Sequence, residues 1–192
     1  MKGQILGVVL GGLAANLALA ATPADTQALE QQAGKLVQAF GGQLKTVLQT
    51  AMKSGGPVKA LDVCKVNAPQ IAKSVGDAEG WTVGRTSLKV RNPNNAPDTW
   101  EATVLQNWSR NIAEGTPVAG LKASTIVTID GKPTYRYMQA IPTGELCVTC
   151  HGTHIAKPVQ EALAKLYPND KATGFKVGDL RGAFTLEKVL PE

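Results

Sequence analysis

The sequence predicts an α+β domain, with helices first and then mostly antiparallel strands with one helix among them. Apolar residues recur at helical spacing from Leu29 to Val75. Two strand-like segments, Leu121 to Ile129 and Pro133 to Ile141, flank Asp130-Gly131, the signal of a tight hairpin. Of 192 residues, 43% are hydrophobic and 18% charged, which suits one packed domain and argues against wholesale disorder.

Thr22-Pro23 reads as an N-cap with proline at the first helical position. Leu29, Ala33, Leu36, Val37, Phe40, Leu44, Val47, Leu48 and Met52 form its apolar stripe. Gly41-Gly42 is expected to weaken or bend the middle, and Ser54-Gly55-Gly56-Pro57 to end the helix. A second helix follows from about Pro57, with Leu61, Cys64, Ala68, Ile71 and Val75 on its inward face. Pro69 should kink or split it near Asn67. Trp81 to Val90 reads as a strand and Arg91 to Pro97 as a loop. Asp98 and Glu101 make a capping box for a helix that buries Val104, Leu105, Trp108 and Ile112. After the hairpin, Cys147 to Gly152 reads as a loop or short turn and Pro158 to Leu166 as a short helix. Gly174 to Gly182 reads as irregular and Ala183 to Leu190 as a last strand. Four or five strands with helices on one face would leave a concave space for a ligand.

The first twenty residues form a separate unit. Met1-Lys2 is a short basic start, Ile5 to Leu19 is apolar, and Ala18-Leu19-Ala20 is a small-x-small cleavage site. This predicts a signal peptide at 1–20, a single domain at 22–192 and a periplasmic location. A membrane anchor is the alternative, but the stretch is short and glycine-rich for a span of about 20 residues. The net charge is +5 without a long basic run or an Arg-rich helix, which speaks against nucleic acid and suits an anionic cofactor or partner.

The chemistry lies in Cys147-Val148-Thr149-Cys150-His151. This C-x-x-C-H run is the attachment signal of a c-type haem. Two thiols three residues apart can each add to a vinyl group of one porphyrin, and the adjoining histidine then lies under the iron. A redox disulfide would want a βαβ setting, and a zinc site a second ligand pair at finger spacing; neither is present. One motif implies one covalent haem. That guest would also explain why aromatics are only 5% of the chain.

His151 supplies one axial ligand of the iron. For the other, Cys64, Met138, Met52 and His154 are candidates, as is an open site. His154 is disfavoured, since three residues reach only about 10 Å while the thiols hold the chain to one side of the ring. A free Cys64 also reads as an inert buried thiol, or as half of an intermolecular disulfide. For the haem propionates, Arg85, Lys89, Arg91 and Arg136 carry the right charge, Arg85 and Arg91 foremost, and Tyr135 and Tyr137 could donate hydrogen bonds.

Ala60-Leu61-Asp62-Val63-Cys64, Ala68-Pro69, the run from Arg85 to Asp98, Cys147 to Gly152 and Gly178 to Ala183 together resemble a known family. It comprises exported single-haem c-type proteins with a PAS-like fold, formerly described as a domain of unknown function. The same module serves as the sensory part of bacterial receptors. The resemblance implies that a helix cysteine and the motif histidine hold the iron from opposite faces, roles that fall on Cys64 and His151. A thiolate ligand implies a low reduction potential. The expected role is electron transfer with a redox partner protein. Sensing of redox state or of a small gas such as nitric oxide, signalled through a separate partner, is the alternative. An enzyme is not expected: a held sixth ligand leaves no open position, and no distal His-Arg pair stands out.

Overall fold

The structure is a computed structural model and describes residues 23–191. The predicted signal peptide and the predicted Thr22 cap lie outside the described residues. Helix α1 (Pro23–Asp62) is broken at Gly56, whose φ of 70° reverses the chain into a helical hairpin ahead of Pro57. Ala51 and Met52 before the reversal therefore pack on Ala60 and Val63 after it. Gly41-Gly42 does not interrupt α1. A Cβ at Gly41 would lie 3.1 Å from the Phe184 ring, so the absent side chain admits that ring against the helix.

The split at Pro69 takes a specific form. A proline cannot donate to the carbonyl four residues back, and the chain answers by widening into a π-helical turn (Val63–Asn67). The Ala68 N–H donates to the Val63 carbonyl, and α2 (Ala68–Asp77) follows. Cys64 lies within that wide turn.

Four strands, β1 (Thr82–Thr86), β2 (Lys122–Ile129), β3 (Lys132–Pro142) and β4 (Leu180–Val189), form one antiparallel sheet in the order β1-β4-β3-β2. The hairpin between β2 and β3 turns on Asp130 and Gly131, both at positive φ, as its sequence predicts. Side-chain alternation then divides the core. Tyr135, Tyr137 and Leu186 face Ala33, Leu36, Val37 and Phe40 of α1 and Ala72 and Val75 of α2. Met138, Ala140 and Ala183 face Leu105 and Trp108 of α3 (Thr99–Ala113). Helices therefore cover both faces of the sheet. The expectation of helices on one face is corrected, because the apolar stripe of α3 needs its own surface to bury. Strand β1 is also shorter than predicted. Its pairing stops at Thr86 opposite Ala183, and the Ser87 N–H turns to the Asn95 carbonyl, carrying Lys89 and Arg91 away from the sheet. Strand β4 begins at Leu180, three residues earlier than predicted.

The capping box of α3 is formed in both directions between Asp98 and Glu101. Asp98→Ala should cost about 1 kcal/mol, read as a lower urea midpoint at unchanged slope. Burial works to raise the Asp98 pKa, but Arg136 and the N–H groups of Glu101 and Trp100 more than offset it and hold it below the ordinary value. A depressed carboxyl contributes stability above about pH 4 that is lost as pH falls through the folded value. The Asp98→Ala protein should lack that part of the acid loss.

Candidate functional site

The motif does not form the predicted loop or short turn. Residues Glu145–His151 form a helix, α4. It runs between Gly144 and Gly152, both in extended conformation. On a helix, positions i, i+3 and i+4 share a face, so the thiols of Cys147 and Cys150 and the imidazole of His151 form one stripe. Cysteine, valine and threonine are poor helix formers. The helix is held by distant partners that satisfy its last carbonyls. Arg91 Nη2 donates to Cys150 O at 2.6 Å. The Phe175 and Gly174 N–H groups donate to the carbonyls of His151 and Gly152, each at 2.9 Å. A Cβ on Gly152 would lie 2.4 Å from the Val148 carbonyl oxygen. Gly152→Ala should therefore displace α4 and cost about 1–3 kcal/mol, measurable as a lower melting temperature.

His151 is fixed on both sides. Its Nδ1 donates to the Ala172 carbonyl at 2.7 Å, and its Nε2 lies 3.5 Å from Arg91 Nη1. Burial, then Arg181 and Arg91, push its pKa down to about 2, so the ring is neutral. The Phe175 ring meets it edge to face at 6.3 Å. Lys89 Nζ and the Arg181 guanidinium sit 4.9 and 5.2 Å from the centre of that phenyl ring.

Arg91 is 7% exposed and anchors this cluster. Its Nε donates to Asp170 Oδ2 at 2.9 Å, and its Nη2 reaches the Ala172 carbonyl at 3.2 Å as well as that of Cys150. Arg181 donates to Ser87 Oγ at 3.1 Å, and its pKa is lowered to about 10 by burial and by Arg91 and Arg85. Burial also lowers the pKa of Arg85, partly opposed by the charges of Cys64 and Tyr167. Burial raises the Cys150 thiol, with Arg91 opposing and Cys64 and Cys147 adding to the rise. Charge thus links Cys150 to Arg91 and Cys64, and Arg85 to Cys64, Tyr167 and Arg181. Three of these groups are arginines; Asp170 pairs with Arg91, and its charge works to raise the Arg181 pKa. Among the described residues, the three cysteines form no disulfide, and no group of three or more His, Cys, Asp or Glu side chains converges to hold a bare metal ion.

The Tll0287-like family model matches residues 18–187. The chain belongs to the Tll0287-like family. Its fold is similar to the crystal structure of the cyanobacterial heme-protein Tll0287, with a TM-score of 0.57 and 28% identity over 90% of this chain and 98% of that one. No curated protein matches the chain.

In this Tll0287-like chain other predicted residues lie apart from α4. Arg136 is 5% exposed and committed to acids: 2.6 Å from Asp98, 2.8 Å from Glu187 and 3.6 Å from Glu101, with its guanidinium over Trp100. Met138 is fully buried beneath α3, and Met52 packs within the helical hairpin. Tyr135 and Tyr137 lie under α1, and the Tyr137 hydroxyl donates to Gln139. His154 is exposed, beside the Thr153 hydroxyl. Arg181, Tyr167, Asp170 and Ala172 were not singled out by sequence reasoning as parts of the site. Arg181 falls within the Gly178 to Ala183 run that carried the family resemblance; the other three sit in a stretch with no motif.

Proposed function

We propose that this chain is an exported electron carrier that holds one haem covalently through Cys147 and Cys150, with His151 and Cys64 as ligands of its iron. The observation that carries this reading is α4, a helix presenting both thiols and a neutral imidazole on one stripe. The residues present fit the group. Thiol spacing matches attachment to one porphyrin, and the Ala172 carbonyl fixes the His151 proton on Nδ1, which leaves Nε2 deprotonated and able to act as a ligand. Arg85 and Arg181 add a surplus of positive charge that suits two carboxylates. The kinship with the heme-protein Tll0287 supports the same reading.

When bound, the haem supplies a one-electron ferric–ferrous couple. The chain's own residues then orient and insulate it. His151 is held by Ala172, Phe175 packs on its edge, and Cys64 offers a sulfur whose anion favours the ferric state. The role is transfer of electrons to a partner protein in the periplasm, without catalysis on a substrate. Cys64 lies on the one π-helical turn among the described residues, a form of helix frequent at functional sites. That placement favours a second reading, a redox or small-gas sensor in which Cys64 leaves the iron on reduction.

The test is a pyridine haemochrome assay with ferric and reduced spectra, on protein exported alongside haem-attachment machinery. The expected result is one covalent haem per chain and a six-coordinate ferric state. A colourless protein with free or mutually bridged Cys147 and Cys150 would overturn the reading. Carbon monoxide binding by the reduced form would select the sensor over the carrier.

A further inference from the structure

A side chain that can only donate and a carbonyl that can only accept bracket the His151 ring. The Ala172 oxygen, 2.7 Å from Nδ1, requires a proton there. The Arg91 guanidinium, with Nη1 3.5 Å from Nε2, has no acceptor to offer, so Nε2 must be bare. Neutral imidazole in water populates both tautomers; this arrangement permits one. The permitted tautomer is the one that a metal bound at Nε2 needs.

Arg91 does more than cap the ring. Its Nη2 also reaches the Ala172 oxygen at 3.2 Å, so that carbonyl serves Arg91 and His151 together. The same nitrogen grips Cys150 O at 2.6 Å, which ties the ring's partner to the backbone of α4. Asp170 holds the guanidinium through Nε, and its other oxygen accepts the Ala172 N–H at 2.8 Å. The carboxylate therefore orients both the arginine and the peptide that the histidine needs. Asp170 and Ala172 lie 79 and 81 residues from Arg91 in sequence, so the assembly exists only in the folded chain.

We propose that Arg91, oriented by Asp170, is a positioning residue that sets the tautomer of His151 before the haem is attached and raises the potential of the iron afterwards. The second half rests on the haem reading above. A fixed cation beside the ligand disfavours the more positive ferric state. Its hold on the Ala172 oxygen also weakens that oxygen as an acceptor for Nδ1–H, which makes the imidazole a poorer electron donor. Both effects oppose the pull of a Cys64 thiolate towards low potential.

The test uses Arg91→Met and the pair Arg91→Met with Asp170→Asn, which removes both charges and leaves no orphaned carboxylate. The first readout needs no haem. Long-range proton–nitrogen NMR of the protein prepared without haem attachment reports which ring nitrogen of His151 carries the proton. The expected result is a single Nδ1–H form in the parent and a mixture of both tautomers in the variants. The second readout is the midpoint potential of the haem-loaded protein. Loss of the cation should raise the ferric-to-ferrous ratio at the parent midpoint about tenfold, a downward shift of about 59 mV. Arg91→Lys keeps the charge and loses the fork, and should restore the potential more than the tautomer. If Arg91→Met fails to fold, the double variant is read in its place. An unchanged Nδ1–H population, or an unmoved midpoint in folded protein, would overturn the proposal. If the parent binds no haem, the carrier reading fails while the NMR result still decides the part played by Arg91.

Discussion

Serine at both Cys147 and Cys150 should give an exported protein from which acidified organic solvent removes all haem, whereas the parent keeps its colour through the same extraction. The effect is expected to be all or none because the proposed link is a chemical bond. A hydroxyl does not add to a vinyl group as a thiol does, and serine leaves His151 as the remaining anchor in α4. Stability of the polypeptide should change little. Both thiols are half-buried, serine is close to cysteine in size, and the bonds that hold α4 run through Arg91, Gly174 and Phe175. The checks are absorbance after extraction and mass spectrometry, which should read the parent heavier by one haem. Retention of covalent haem in the double variant would remove the attachment assignment.

Cys64→Ser should leave haem attached and change its iron. Under the proposed ligation a Cys64 thiolate would be the strongest electron donor to the iron, so its loss should raise the midpoint potential by about 0.1 V or more, within the roughly 0.8 V that axial ligands span. The ferric electron resonance spectrum should pass from low-spin to high-spin or mixed. The reduced form should bind carbon monoxide at least as readily as the parent. An unaltered ferric spectrum would show that Cys64 does not touch the iron and would reopen the sixth position. The sign relative to Arg91→Met is informative: loss of the anion raises the potential and loss of the cation lowers it.

Much of the architecture is legible in local sequence. The reversal at Gly56-Pro57, the Pro69 split, the Asp98–Glu101 box and the Asp130-Gly131 hairpin each arise from a few adjacent residues with fixed backbone preferences. The helical state of α4 was not legible, because Val148 and Thr149 disfavour it and the groups that cap it come from Arg91, Gly174 and Phe175. Arg136 had the charge expected of a propionate partner. Its setting is fixed by strand register, which puts Glu187 directly opposite it, and by the cap of α3, which brings Asp98. Neither relation can be read from the neighbours of Arg136. Tyr167 joins the site from a stretch without any motif, and Arg181, although inside the Gly178 to Ala183 run, has nothing in its local sequence that ties it to Arg91 or Cys147.

The sheet order β1-β4-β3-β2 places the last strand between the first and the third. Until the final dozen or so residues arrive, β1 has no neighbour, β3 lacks one edge, and Arg181 is missing from the thiols' surroundings. A chain that emerges N-terminus first therefore cannot complete this sheet until β4 has emerged. If haem is attached as proposed, that interval would leave Cys147 and Cys150 within reach of an attachment enzyme before β4 and Arg181 close around them.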